Sequence, residues 1–175
     1  MKKVLVFLHW IIVVQLGLDV IKFIKSIISL PKFLLHLIKF KKNYKSSVLI
    51  KPCLFDWYEE AGSYNHEYFW QDLYVSEFII KNKPVKHLDI GSRIDGFILS
   101  LASSRQVEIL DIREIKLNHH NIKCIEKDFI NNIDDLVNYT DSLSCLHTLE
   151  HFGLGRYGDD IDVFAYKKAI KNLSL

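Results

Sequence analysis

A chain of 175 residues, 49% hydrophobic and 25% charged, is long enough for one packed domain plus a small appendage. The net charge of +2 is unevenly spread: residues 1–45 carry nine lysines against Asp19 alone, net +8, while the remainder carries fourteen Lys and Arg against twenty acids, net −6. An acidic body with its cations confined to an apolar head argues against nucleic acid as a partner, and Cys53, Cys124 and Cys145, far apart and without C-x-x-C spacing, argue against a disulfide framework. They read as reduced thiols of a cytoplasmic protein.

In chain order, residues 4–21 (VLVFLHWIIVVQLGLDVI) are strongly apolar but interrupted by His9, Gln15 and Asp19. The clean run, Val4–Val14, falls in the length class of interfacial or buried helices rather than full spans. From Lys22 the polar residues Lys22, Lys25, Ser29, Lys32, His36 and Lys39 step by three and four, which makes one stripe of a helix with apolar residues elsewhere. Pro31 is expected to kink that helix or start a second one. A basic stripe on an apolar helix predicts that residues 1–42 lie on an anionic membrane surface, at the inner face of the cytoplasmic membrane.

Residues 1–45 thus form a membrane-associating head, and 46–175 an α/β domain. A connector over Lys41–Lys51 leads to an aromatic-dense stretch from Phe55 to Phe78. Helical spacing over Tyr68–Lys81, stopped by Lys83-Pro84, predicts a helix covering the sheet or roofing a pocket, with its aromatics as core.

The next stretch organises the body. Val85–Ile90 is an apolar run fit for a buried strand, followed by Gly91-Ser92-Arg93-Ile94-Asp95-Gly96, a helical segment, and a second strand Val107–Ile112 ending in Asp111. Strand, glycine turn, helix, strand with a terminal acid is the opening unit of a nucleotide-binding doubly wound sheet. Gly91 permits a sharp turn and close approach, and the helix start offers free N–H groups. Asp89 ahead of the turn disfavours a pyrophosphate. Together with Asp111 as a ribose acceptor, it suits a ligand with a cationic end, such as S-adenosylmethionine. Arg93 occupies the second glycine position of the usual turn.

A third strand is expected at Ile122–Ile125, with Asp128 just beyond it as an adenine contact or a turn cap. Ile133–Tyr139 suggests a helix, with Asp134 and Asp135 near its positive end. Ser142–Leu146 is the fourth strand. The loop after it, His147-Thr148-Leu149-Glu150-His151-Phe152-Gly153-Leu154-Gly155-Arg156-Tyr157-Gly158-Asp159-Asp160, is placed to complete a site beyond the carboxyl ends of the strands.

The order of these pieces resembles a class I S-adenosylmethionine-dependent methyltransferase. More closely, HLDIGSRIDGF with SCLHTLEHFGLGRYGD resembles the methyltransferase-like family filed as domain of unknown function 268, over roughly Trp57 to Ile170. The resemblance implies a Rossmann-like parallel sheet and a role in cell-surface polysaccharide synthesis. It also implies cofactor contacts by Asp89, Gly91, Ser92, Gly96, Asp111 and Asp128. A complete fold of that class has about three more strands than this chain supplies. The expectation is therefore an incomplete doubly wound sheet of about four strands, C-terminally truncated, its fourth-strand edge covered by a dimer mate, a partner or the N-terminal helices.

The functional expectation is methyl transfer from S-adenosylmethionine to a sugar hydroxyl of a glycan or lipid-linked acceptor. His147 or His151 is the candidate base and Glu150 orients one of them. An inactive membrane-associated scaffold for glycan enzymes is the alternative. His147-Thr148-Leu149-Glu150-His151 also matches H-x-x-E-H, the zinc pattern of inverted zinc peptidases. That remoter reading lacks a well-placed third ligand downstream, and no metal is expected.

Overall fold

The computed structural model describes all residues except Met1, Ser63, Asn65 and Asn132. The chain divides into two compact units, Met1–Ser63 and Tyr64–Leu175.

In the first unit, helix α1 (Lys2–His9) runs into a π-helical turn over Trp10–Gln15. Gly17, at φ +67°, breaks the path. Asp19 then caps helix α2 (Val20–Asn43), its carboxylate accepting from the Lys22 N–H at 2.9 Å. Helix α2 continues through Pro31 as one element, so the second start expected there does not occur. Among the described residues, no single helix is long and apolar enough to cross a membrane. Lys2–Gln15 and Val20–Asn43, bent by 60°, meet the length and composition of a span only as a pair.

The second unit is an α/β fold: four parallel strands with helices around them, preceded in the chain by the N-terminal helices. Helix α3 (Glu67–Asn82) has Glu67 in its first turn and ends where Lys83 adopts a left-handed conformation ahead of Pro84. It is followed by β1 (His87–Ile90), α4 (Gly96–Ala102), β2 (Val107–Asp111), β3 (Ile122–Glu126), β4 (Ser142–Ser144) and α5 (Ala165–Asn172). The strand order is β3-β2-β1-β4, all pairs parallel, with Leu88 opposite Glu108 and Asp89 opposite Ser144. The expected Ile133–Tyr139 helix is a single 3-10 turn, Asp134–Leu136. Val137 is extended and Asn138 sits at φ +52°, its N–H donating to the Leu175 carbonyl, which ends the turn.

Because side chains alternate along a strand, the sheet has two distinct faces. On one, Val107 and Ile109 pack with Phe97, Ile98 and Leu101 of α4 and Ile79 of α3. On the other, Leu88, Ile90 and Leu110 pack with Phe129 and Ala169 of α5. The α3 aromatics depart from expectation: Phe69, Trp70, Tyr74 and Phe78 are exposed. Only a narrow stripe, Val75, Ser76 and Ile79, reaches the core, because α3 rests on α4 rather than lying flat on the sheet.

Two polar devices lie within this core. Glu108 accepts from Lys123 Nζ at 2.9 Å and from the Tyr139 hydroxyl at 2.6 Å. Burial alone would raise its carboxyl, but these donors outweigh burial and hold it below the usual range. The second is a file of side chains crossing β1 and β4. His87 Nδ1 meets Ser142 Oγ at 2.8 Å, His87 Nε2 meets Ser144 Oγ at 3.1 Å, and Ser144 Oγ donates to Asp89 Oδ2. Both His87 and Asp89 are buried. Burial lowers the imidazole to about 4, with Arg105 adding to it, and raises the carboxyl to about 6 against its hydrogen bonds.

Candidate functional site

A cavity of about 740 Å³ opens beyond the carboxyl ends of β1, β2 and β4, where ligands of open α/β sheets bind. Its wall includes Gly91, Ser92, Asp111, Asp128, His147 and His151 from the residues singled out in the sequence. Asp89, Gly96 and Glu150 do not line it. Asp89 lies beneath the glycine turn instead: its Oδ1 accepts the Ser92 N–H at 3.0 Å, so it shapes the turn rather than meeting a ligand. Gly96 opens α4, where an added Cβ would stand 3.3 Å from Asp72 Oδ2. Glu150 is exposed on a one-turn 3-10 helix, Leu149–His151.

Gly91 adopts φ +72°, a conformation that disfavours any side chain. The space its Cβ would take is filled by Thr148, whose Cγ2 would be 2.4 Å away. This glycine therefore lets the β4 loop close onto the turn. Gly91→Ala should cost about 2–4 kcal/mol, the sum of left-handed strain and overpacking. Adding Thr148→Ser removes the methyl and should restore the packing share but not the backbone share. Urea midpoints of both singles and the double mutant check this, and strict additivity would show that the two side chains do not meet.

Asp111 is already engaged. Arg113 grips it with Nε on Oδ1 at 2.8 Å and Nη2 on Oδ2 at 2.7 Å, while the Arg113 N–H adds a third bond. Burial would push this carboxyl up, but the Arg113 bonds prevail and hold it below the ordinary range. Oδ2 keeps one further acceptor direction. The Arg113 guanidinium lies over the Tyr157 ring at 4.4 Å, and Arg156 lies against the same ring at 5.1 Å. Asp128 caps the turn after β3, accepting from the Ile130 and Asn131 N–H groups, which is the capping alternative for that residue.

Across the cavity, His147 is held at φ +53° with its ring edge against Tyr68, centroids 3.9 Å apart. Among the described residues, neither its buried Nε2 nor the buried Ser92 Oγ has a hydrogen-bond partner. Unpartnered polar atoms are costly in a folded interior, and both residues line this cavity. Asp72 of α3 belongs to the same wall, and its carboxyl is raised by burial and by Asp95, with His147 opposing. His147 precedes the helical turn that holds His151, so the two histidines do not share a helix. His151 Nδ1 instead faces Arg156 Nη1 at 3.4 Å. Among the described residues no three His, Cys, Asp or Glu side chains come together as metal ligands. Burial pushes the Cys145 thiol up to about 12, so it is no nucleophile near neutrality.

Thr148 and Tyr157 lie in the loop expected to complete the site, whereas Tyr68 and Asp72, as ligand-facing residues, and Arg113 escaped the sequence reading. The aromatic stretch hid Tyr68 and Asp72, and only the fold brings Arg113 to the cavity. No family model, curated protein or solved structure matches the chain.

Proposed function

We propose that the unit Tyr64–Leu175 binds S-adenosylmethionine in this cavity and transfers its methyl group to a hydroxyl of a sugar acceptor, in the manner of the methyltransferase-like family it resembles. The observation that carries the reading is the pair of buried, unpartnered atoms, Ser92 Oγ and His147 Nε2, in a cavity of nucleoside-ligand size at the strand ends. These residues fit the ligand. Gly91 and Ser92 would hold its methionine end, Asp111 Oδ2 has an acceptor direction left for a ribose hydroxyl, and Phe129 and Ile130 offer apolar wall. Bound S-adenosylmethionine supplies an electrophilic methyl on a sulfonium, which leaves as a thioether.

The chain's own share is alignment and proton management. His147 Nε2 accepts the hydroxyl proton of the acceptor, as a neutral imidazole protonated at Nδ1 can. Asp72 lies in the same wall, where its carboxylate would steady the positive charge that the imidazole gains. Titration calorimetry with S-adenosylmethionine should give saturable heat, and Asp111→Ala should weaken binding by about tenfold, or about 1.4 kcal/mol. A folded sample giving no heat overturns the proposal.

The Arg113 grip on Asp111 favours a second reading, in which the cleft is held closed and the protein serves as a non-catalytic scaffold for glycan enzymes. Arg113→Met separates the two: heat from that variant alone supports the closed cleft, and equal heat from wild type and variant supports the enzyme.

A further inference from the structure

The first unit carries its polar residues in an unexpected direction. The stripe Lys22–Lys25–Ser29–Lys32–His36 faces the chain's own segment Phe55–Glu59. Lys22 Nζ lies 4.7 Å from the Phe55 ring centroid, Lys25 Nζ 5.0 Å from that of Tyr58, and Lys32 Nζ 4.4 Å from that of Trp57. Ser29 Oγ bonds the Tyr58 hydroxyl at 3.3 Å, the His36 ring meets Trp57 edge-on, and Lys22 also pairs with Glu59 at 3.6 Å. The one acid of α1 and α2, Asp19, is spent as the α2 cap. On the rest of α2 the apolar side chains stand in the open: Ile21, Phe23, Ile24, Ile28, Leu35 and Ile38 are each more than half exposed, as are Val4–Phe7 of α1.

An apolar surface running the length of a 24-residue helix, about 36 Å, is far larger than water tolerates on a folded unit. Lysines at both ends of the helix pair (Lys2 and Lys3, then Lys41 and Lys42) suit the headgroup layer that borders the acyl region rather than a protein groove. Lys32 at mid-helix rules out α2 as a span on its own, in keeping with its composition.

We propose that residues 2–59 form a unit embedded in one leaflet of a lipid bilayer, with the Phe55–Glu59 strap and the lysine stripe at the headgroups and the apolar flanks of α1 and α2 in the acyl layer. Hydrophobic insertion drives this association, because the apolar side chains of α1 and α2 stand exposed along both helices while three of the stripe lysines, Lys22, Lys25 and Lys32, are turned onto aromatic rings of the same unit. Charge attraction to anionic lipid is secondary, which inverts the expectation from the stripe alone.

The test is sedimentation of the full chain with phosphatidylcholine vesicles and with phosphatidylcholine–phosphatidylserine vesicles. Each is run near 0.1 M and near 1 M salt, where the screening length falls from about 10 to about 3 Å. Binding to both vesicle types should change less than about threefold with salt. Ile24→Asp with Ile28→Asp should weaken it by about 30-fold or more, with unchanged helicity by circular dichroism. Lys22→Gln, Lys25→Gln and Lys32→Gln together should stay within about threefold of wild type. Binding confined to anionic vesicles and lost at high salt overturns the proposal. So does a chain that stays in solution with both vesicle types, whether as a monomer or as a dimer that the two aspartates dissociate.

Discussion

Asp89→Asn should be about 2–3 kcal/mol more stable than wild type at pH 7.5 and lose that advantage by pH 4. Asp89 titrates at about 6 in the fold against 3.8 unfolded, so between those values the folded state holds more protons and wild-type stability falls as pH rises. His87 works in the opposite sense. Its folded value of about 4 lies below 6.5, so the unfolded state holds more protons and stability falls as pH drops through that window. The two slopes nearly cancel between pH 4 and 6. Asp89→Asn keeps the Ser92 and Ser144 bonds through its amide while removing the first slope, and His87→Gln removes the second, so that variant should gain on wild type in acid by a similar amount. Urea unfolding of the three proteins at pH 4, 5, 6 and 7.5 reads the result, and parallel profiles would show that neither group titrates as its burial dictates.

Gly153→Ala should be the most damaging single methyl in the second unit. Gly153 sits at φ +74°, and a Cβ there would lie 2.0 Å from the Asp162 carbonyl oxygen and 2.6 Å from Ala165 Cβ. Neither neighbour can swing aside, since one is backbone and the other opens α5. Left-handed strain plus overpacking puts the loss at about 3–5 kcal/mol. The Asp162 N–H bond to the Gly153 carbonyl, at 3.0 Å, and the docking of Ala169 should fail with it. Gly158→Ala is the internal control: φ is +98° but no atom lies within 4 Å, so only the backbone share, about 1–2 kcal/mol, should appear. Thermal midpoints of the two variants check the ranking, and equal losses would place the whole effect in the backbone.

What the sequence revealed follows from which forces are local. Strands β1 and β2 were legible because they are buried along their whole length, as central parallel strands are, and their apolar residues Leu88, Ile90, Val107, Ile109 and Leu110 are bounded by turn signals. The glycine turn was legible as well, because only its backbone chemistry was needed. The 133–139 stretch misled, since its spacing was helical while its end is fixed by a distant partner, the Leu175 carbonyl. Asp111 was found but not its state: Arg113 lies only two residues on, and nothing in that spacing says that the guanidinium folds back onto the carboxylate rather than reaching into solvent. Asp89 was read as ligand-facing because it precedes the glycine turn. Strand alternation places it on the opposite face from Ile90, with His87. The α2 stripe was located correctly, yet its direction depended on aromatic rings more than twenty residues away.

The file of His87, Ser142, Ser144 and Asp89 also bears on how β4 finds its place. Three residues are too few for an apolar pattern to distinguish one alignment against β1 from its neighbours. A slide by one would press Leu143 against the buried carboxylate, and a slide by two would leave an imidazole nitrogen without a hydroxyl. Both errors strand a desolvated polar atom. The imidazole thus works as a gauge with two prongs, admitting the last strand at a single offset and fixing the height at which the following loop meets the sheet.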